Sequence, residues 1–277
     1  MAEKRNDGNQ SLSRGISLIE LLSDYPNGCP LAKIAQETGL NKSTTHRLLK
    51  SLQSLGYVAP APSAGSYRLT SKFIAVGYKT YASLNIIHIA APHMEKLNLD
   101  SGDTVNLSLR ENSRAILIYK LEPTTGGLKT RSYIGQSIHL YCSGMGKVFL
   151  AFSPESYLEK YWEEEKDDIV RFTSNTIVSI NAMRAELARI REERISFDRE
   201  ENEIGICCIA APIFGIHNRV DYSLSVSLPV TRLDDERKLR LASAVLATAD
   251  VISREIGGLA EEQQDARAKS SRRKARP

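Results

Sequence analysis

The chain contains 277 residues, of which 42% are hydrophobic and 25% are charged, a composition that allows two domains with a buried core each. The longest apolar runs, such as residues 206–213, are far shorter than the roughly 20 residues that a membrane-spanning helix needs. Residues 1–11 are polar and contain no secretory signal. A cytoplasmic protein without a membrane partner is therefore expected.

The formal net charge is +4, and it is distributed unevenly. Residues 1–85 contain ten Lys and Arg against five Asp and Glu, whereas the remainder of the chain is close to neutral. An excess of positive charge in one part of a protein favours a nucleic-acid partner for that part.

The cysteines and histidines do not form a recognisable metal or disulfide pattern. Cys29, Cys142, Cys207 and Cys208 show neither a paired framework nor a Cys-x-x-Cys motif, and the five histidines lack metal-ligand spacing. Reduced thiols, no metal site and no cofactor are expected.

The chain begins with a segment, residues 1–11, that is too polar to bury enough surface to offset its ordering entropy, and disorder is predicted there. Ser13 is the predicted N-cap of a first helix that ends before Pro26. Its apolar residues are Ile16, Leu18, Ile19, Leu21 and Leu22.

Two further helices predict a helix-turn-helix. The first covers residues 30–38, and Gly39 provides the corner before a second helix that follows the N-cap Asn41 and ends near Gly56. One side of the second helix is apolar and carries Leu48, Leu49, Leu52 and Leu55. The other side carries Lys42, Ser43, His46, Arg47, Lys50 and Ser54. Such a helix is free to enter a major groove.

A solvated αα-hairpin is the alternative to DNA reading. The polar side is rich in donors to base edges and phosphates and nearly free of carboxylates, which favours DNA. Residues 57–59 and 66–69, with Gly65 at the tip, predict a β-hairpin behind the helix, and this is typical of a wing. Residues 12–70 are thus predicted to form a winged helix-turn-helix domain. The predicted DNA-binding residues are Arg14 at the first helix, Lys42, Ser43, Thr44, His46, Arg47 and Lys50 on the second helix of the motif, and Arg68 on the wing.

Residues 71–85 show an apolar stripe with helical spacing. The stripe predicts either a linker helix that dimerises with a second copy or a helix that packs on its own domain.

Residues 86–257 are predicted to form an α+β domain. A helix at 86–99, with a kink or new start at Pro92, precedes strands and helices. The predicted strands cover residues 104–110, 115–121, 128–133, 195–198, 206–214 and 222–228. The predicted helices cover residues 143–152, 154–165, 179–193 and 234–256. Residues 258–277 are polar and basic, and a disordered solubilising tail is favoured over a DNA-binding arm.

Several residues of the second domain have the chemistry of a binding site. The turn from Ser143 to Gly146 places free N–H groups at a helix N-terminus, which attracts a carboxylate or phosphate. Ser225 and Ser227 share one face of a strand, either as core hydroxyls or as the wall of a ligand cavity. Cys208, on an apolar strand after an acidic cluster that includes Asp198, is either a small buried hydrophobe or a functional thiol.

A catalytic interpretation would require a base beside Cys208 or Cys142. His139 and His217 are the candidates, and neither lies in a recognisable motif. No catalytic residue is predicted.

Residues 11–257 resemble the IclR family of bacterial transcription regulators. The resemblance depends on residues 31–49, 65–70, 143–148 and 198–212. It implies an N-terminal winged helix-turn-helix, a dimerising linker helix and a C-terminal GAF-like effector domain that pairs dimers into tetramers. It also implies that a small carboxylate binds between the sheet and the Ser143–Gly146 loop.

The resemblance assigns effector-binding positions by motif. They are Ile138, Gly144, Met145, Asp198, Ile206, Cys208, Ser225 and Ser227, and Ser143 and Gly146 complete the predicted set as members of the loop. Met145 stands where family members carry a small residue, and Cys207 adds a second thiol.

The expected function is sequence-specific binding of a pseudo-palindromic operator by a homodimer or tetramer. Residues 25–31, 83–93 and 118–126 are similar to regulators of sugar-acid operons of the diketogulonate or ascorbate type, which implies a repressor released by a small carboxylate or sugar acid. The alternatives are an activator of the same class, a cysteine-based redox sensor and an enzyme.

Overall fold

The computed structural model describes residues 10–82, 85–124 and 130–258, with the backbone alone at 80–82. The chain divides into two compact units between residues 83 and 84, inside the predicted linker range of 71–85. None of the helices in the described segments is long and apolar enough to cross a membrane. The predictions for residues 1–9 and 259–277 lie outside the described residues.

Three helices form the core of the N-terminal unit. They are α1 (Gln10–Ser23), α2 (Leu31–Glu37) and α3 (Lys42–Ser54). Leu18 and Leu22 of α1 pack with Ile34 of α2 and Leu49 of α3, and all four side chains are buried. Leu55, predicted on the buried side of α3, is 59% exposed because the helix ends one residue before it.

The start of α1 differs from the prediction. The helix is already formed at Gln10, so Ser13 is not its N-cap, and Gln10 and Ser11 are helical rather than disordered. Residues 10–14 contain neither Pro nor Gly, so nothing in this stretch interrupts the helix. The Ser13 carbonyl instead accepts a hydrogen bond from the Ser17 hydroxyl at 3.2 Å.

The wing contains one more strand than predicted. Strands β1 (Cys29–Pro30), β2 (Val58–Pro60) and β3 (Ser66–Leu69) form an antiparallel sheet in the order β1-β3-β2. Gly28 enters β1 with φ of +100°, and a Cβ there would lie 2.3 Å from the Ala61 side chain. Glycine is therefore required where the chain approaches the β2–β3 turn.

Helix α4 (Lys72–Ala82) leaves this unit with an apolar surface exposed. Its first turn is anchored, because the Phe73 ring packs on Tyr57 at 4.9 Å between centroids and Lys72 Nζ donates to the Leu55 carbonyl at 2.7 Å. Ile74 and Tyr78, one helical turn apart, are 73% and 68% exposed. These two side chains therefore do not pack into the N-terminal unit, which was one of the two alternatives for this helix.

A six-stranded antiparallel sheet forms the centre of the C-terminal unit, and the α+β prediction is confirmed. Its strands are β4 (Thr104–Glu111), β5 (Arg114–Leu121), β6 (Ser137–His139), β7 (Ser196–Arg199), β8 (Ile206–Phe214) and β9 (Val220–Pro229). The spatial order is β6-β5-β4-β9-β8-β7.

Helices cover both faces of this sheet. They are α5 (Asn85–Ser101), α6 (Gly144–Ala151), α7 (Glu155–Glu164), α8 (Ile180–Glu193) and α9 (Asp235–Glu255). Helix α6 contacts β7, β8 and β9 and packs with α8, while α5 and α9 pack together. The strand residues that alternate with those beneath α6 point to the opposite face of the sheet, under α5 and α9. They include Leu107, Ile209 and Val226, which are fully buried. Helix α5 continues through Pro92 without an interruption.

One predicted strand is wrong. Residues 130–133 form no strand, and the edge strand is β6, which pairs with β5; residues 128–129 lie outside the described residues. Lys120 Nζ donates to the carbonyls of Thr130 and Ser132 at 3.1 and 2.8 Å, so a side chain uses the acceptors that a strand ladder would need. Gly135, with φ of +91°, then turns the chain into β6.

Candidate functional site

The start of α3 is fixed by a side-chain cap. Asn41 Oδ1 accepts from the Thr44 N–H at 2.8 Å and from the Ser43 hydroxyl at 2.8 Å. The Thr45 hydroxyl, buried below, donates to the Asn41 carbonyl at 3.0 Å. Asn41 therefore caps α3 as predicted, and Gly56, with φ of +78°, follows its C-cap.

Helix α3 presents an exposed cationic surface, which we call the recognition face. It consists of Lys42, Ser43, His46, Arg47 and Lys50, all exposed. No carboxylate occurs in α3. Within the described residues, the side chains of Lys42, Arg47 and Lys50 make no ion pair or hydrogen bond, so their charges are available to phosphates or base edges. Thr44 is half-buried at the edge of this face.

The two remaining predicted DNA-binding residues lie elsewhere on the N-terminal unit. Arg14 is exposed within α1, four residues after the start of that helix at Gln10. Arg68 is exposed on β3, where Nη1 donates to the Leu69 carbonyl at 3.3 Å. Contact of these residues with DNA remains a prediction.

The C-terminal unit contains a cavity of about 270 Å³ between the N-terminus of α6, the sheet and residues 130–139, which we call the α6 cavity. Nine of the ten predicted effector-binding residues line it: Ile138, Ser143, Gly144, Met145, Asp198, Ile206, Cys208, Ser225 and Ser227. Gly146 does not. A Cβ on Gly146 would lie 2.4 Å from the Leu140 Cα, so this glycine permits close packing and does not face the cavity.

Ser143 organises the α6 end of the cavity. Its Oγ accepts from the Gly146 N–H at 3.1 Å and lies 2.9 Å from the His139 carbonyl, to which it donates. The N–H groups of Gly144 and Met145, the first two residues of α6, have no intrahelical acceptor and can bind an anion. Gly144 lies directly on the sheet, since a Cβ there would be 3.6 Å from the Cys208 Cβ.

The sheet forms a polar floor. Asn106 Nδ2 donates to Ser227 Oγ at 3.0 Å, and Ser227 Oγ lies 3.1 Å from Cys208 Sγ. Asn106 Oδ1 and Ser225 Oγ are buried and have no partner among the described residues. Asn106 was not predicted, although its alternation with Thr104 and Ser108 on β4 repeats the pattern of serines on β9.

An ionic network connects α6 with β7 and the residues that follow it. Lys147 is fully buried, with Nζ bonded to the Phe197 carbonyl at 2.6 Å and paired with Glu201 and, at 3.4 Å, with Glu186. The Glu201 N–H donates to Asp198 Oδ1 at 2.7 Å. Burial raises the pKa of Asp198 to about 7, with a further contribution from the nearby Glu201 charge.

The cysteines near the cavity are poor nucleophiles. Burial raises the pKa of Cys142 to about 12 and the pKa of Cys208 well above its usual value, and the nearby Asp198 charge acts in the same direction. Reactive cysteines require the thiolate form, so the redox and nucleophilic interpretations of Cys208 gain no support.

The rim of the cavity was largely missed by sequence reasoning. Its lining also includes Leu117 at the sheet and eight polar or charged residues: Thr130, Arg131, Ser132, Gln136, Ser137, His139, Asn202 and Glu203. Arg131 is exposed and supplies a cation at this rim. Burial and the Arg114 charge lower the pKa of His139, which favours its neutral form. Most of these residues lie in the loops before β6 and after β7, where neither helical nor strand periodicity gives a signal.

His139, Glu165 and Asp168 bring their ligand atoms within 4.8 Å of one another. Arg114 lies 2.7 Å from each of the two carboxylates and already places a positive charge between them, which disfavours a bound metal cation.

Comparisons with known proteins identify a family for both parts of the chain. Residues 11–62 match the family model described as the IclR helix-turn-helix domain, and residues 78–254 match the bacterial transcriptional regulator IclR C-terminal model. The chain is 57% identical over 255 residues to the DNA-binding transcriptional repressor YiaJ of Escherichia coli K12, covering 92% of this chain and 90% of the relative. It is 50% identical to an uncharacterised HTH-type transcriptional regulator of Haemophilus influenzae, covering 93% and 96% of the two chains.

A solved structure shows the same fold. The crystal structure of the Thermotoga maritima IclR matches with a TM-score of 0.71 at 27% identity, over 90% of this chain and all of that chain. The C-terminal family model is that of bacterial transcriptional regulators, and both relatives are named transcriptional regulators or repressors and not enzymes. The chain belongs to the IclR family of bacterial transcriptional regulators.

Proposed function

We propose that the protein is a transcriptional repressor of a sugar-acid catabolic operon, of the diketogulonate or ascorbate type, and that a small carboxylate in the α6 cavity releases it from its operator. The observation that carries the DNA half of this proposal is the recognition face, whose three cations have no partner in the described part of the chain and which has no carboxylate on α3. The similar E. coli protein is named a repressor, which supports repression over activation.

Two copies of the protein bind the operator in this proposal. Two symmetric α3 helices fit a pseudo-palindromic site with half-sites about one helical turn apart. The exposed Ile74 and Tyr78 of α4 provide an apolar surface on which a second copy packs, with further pairing of dimers into a tetramer through the C-terminal unit.

The α6 cavity suits a small carboxylate. The Gly144 and Met145 N–H groups and the positive end of the α6 dipole bind the carboxylate, and Arg131 adds positive charge at the rim. A volume of about 270 Å³ fits a metabolite of a few carbon atoms rather than a nucleotide.

Release requires that the carboxylate bind the DNA-free arrangement more tightly than the DNA-bound one. A tenfold loss of operator affinity corresponds to a preference of about 1.4 kcal/mol.

Replacement of Arg47 by Ala tests the DNA half. The variant should bind promoter DNA at least tenfold more weakly, or lose its preference for that DNA over random duplex, because Arg47 is an unpaired cation in the middle of the recognition face. Gel shifts at fixed salt measure both quantities. Arg240→Ala, which removes the same charge from an exposed position of α9, is the matched control. Unchanged affinity and unchanged preference for Arg47→Ala would reject α3 as the reading helix.

A further inference from the structure

The sheet face beneath α6 is polar along its two central strands. Residues at alternate positions on β4 and β9 point to this face and are all buried: Thr104, Asn106, Ser108, Ser223, Ser225 and Ser227. Asn106 and Ser225 are directly opposite each other in the β4–β9 register, and both line the α6 cavity. The cavity floor is therefore built around this cross-strand pair.

The pair has unused hydrogen-bonding capacity. Asn106 and Ser225 are 3% and 0% exposed, and Asn106 Oδ1 and Ser225 Oγ have no partner among the described residues. The other half of the Asn106 amide is occupied, because Nδ2 donates to Ser227 Oγ. A buried polar atom without a partner destabilises the fold, so two such atoms on residues that line one cavity indicate a ligand that satisfies them.

The chemistry of the two atoms selects the ligand group. Asn106 Oδ1 can only accept a hydrogen bond, whereas the Ser225 hydroxyl can donate one. A carboxylate or a ketone offers no proton to Asn106 Oδ1. An alcohol hydroxyl can donate to Asn106 Oδ1 and accept from Ser225 at the same time, and it satisfies both atoms.

We propose that Asn106 and Ser225 bind a hydroxyl group of the effector and thereby select hydroxylated carboxylates over their deoxy counterparts. The inference rests on the proposed function for the position of the carboxylate, at the Gly144 and Met145 N–H groups of α6. The hydroxyl group then lies across the cavity, on the β4–β9 floor. Ser227 serves this arrangement indirectly, since it holds the Asn106 amide in place.

Isothermal titration calorimetry on the full-length protein tests the selection. Three six-carbon aldonates of different stereochemistry, D-gluconate, D-galactonate and L-gulonate, are compared with hexanoate, which has the same chain length and no hydroxyl group. At least one aldonate should bind tenfold or more tightly than hexanoate, because hexanoate leaves both floor atoms unpaired. Ser225→Ala and Asn106→Leu should each reduce this ratio at least fivefold and leave the affinity for hexanoate within twofold.

Ser108→Ala is the matched control. Ser108 is on the same strand and face as Asn106, is fully buried and also lacks a partner for its hydroxyl, but it does not line the cavity. Its replacement should leave the ratio unchanged. Ser225→Ala removes one hydroxyl that has no partner, so this variant should fold even if Asn106→Leu does not.

The outcomes separate this inference from the proposed function. Equal binding of hexanoate and every aldonate, a ratio that survives both floor variants, or no binding by any of the four acids overturns the inference. Aldonates that bind with the expected selectivity but leave the operator complex intact in a gel shift overturn release by the effector, while the floor pair retains its assigned role.

Discussion

The buried carboxyl group of Asp198 remains partly protonated near neutral pH, whereas an exposed aspartate would be ionised. Its carboxyl is 4% exposed, and Glu201 and Lys147 are buried beside it. The buried Lys147 ammonium is paired with Glu201 and with the partly exposed Glu186. Burial raises the pKa of Asp198 to about 7, so the folded protein retains a proton that the unfolded chain loses near pH 3.8.

This raised pKa predicts a pH-dependent stability. A folded-state pKa above the unfolded value stabilises the protein fully below about pH 4, and the contribution disappears as the pH rises through about 7. Asp198→Asn keeps a neutral side chain at every pH. The melting temperature of the variant relative to that of the natural protein should therefore increase from pH 5 to pH 8 in thermal unfolding experiments. A difference that stays constant over this range would show that Asp198 is ionised when folded.

Individual residues were predictable where the sequence carries a local rule. Asn41 was expected as an N-cap, and it accepts the N–H bond that such a cap requires. The same rule was wrong for Ser13, because α1 begins upstream of it. Asn106 could not be identified, because a polar residue in a strand has the same pattern whether it faces a cavity or is satisfied in a core. Only the β4–β9 register, set by contacts between residues far apart in the chain, places it opposite Ser225.

At the scale of secondary-structure elements, α4 stands out because large apolar side chains on it are exposed. Ile74 and Tyr78 are on one side of the helix and are mostly exposed, although the first turn of the same helix is anchored through Phe73 and Lys72. An exposed apolar stripe on an otherwise anchored helix is typical of a contact with another chain.

Charges on this stripe should prevent dimerisation. Ile74→Glu combined with Tyr78→Glu places two carboxylates in the proposed interface, so the molecular mass measured by light scattering after gel filtration should fall by at least half. Ile74→Val combined with Tyr78→Phe retains the apolar surface and should keep the assembled mass. An assembled mass that is the same in both double variants would show that α4 does not hold the copies together.

Element prediction succeeded where periodicity is strong and failed where another group decides the hydrogen bonding. Strand β8 was predicted with the bounds that the structure shows, since its apolar run is continuous and flanked by glycines. Strand β1 has only two residues, too few for any period. Residues 130–133 have strand-like composition, but the distant Lys120 side chain binds their carbonyls, an interaction that local sequence cannot reveal.

At the scale of the whole molecule, the charge is separated between the two units. The excess of Lys and Arg over Asp and Glu is in residues 1–85, which include the recognition face, whereas the α6 cavity belongs to a part of the chain without an excess of positive charge. Long-range attraction to DNA therefore originates in the unit that reads it, and the unit with the cavity can bind an anionic metabolite without attracting DNA itself.

This separation, together with binding as a symmetric pair, predicts how salt affects operator affinity. Each phosphate contact contributes about 0.9 to the slope of log affinity against log salt, so a contact made once by each of two copies contributes about 1.8. Lys50 is exposed at the third turn of α3 and unpaired within the described residues, as expected for a phosphate contact. Lys50→Ala should lower the slope by about 1.8 and weaken binding to operator and random duplex alike. Arg240→Ala, on α9 of the other unit, should leave the slope unchanged. The slope follows from gel shifts at several salt concentrations, and a Lys50→Ala slope equal to that of the natural protein would place Lys50 away from the backbone.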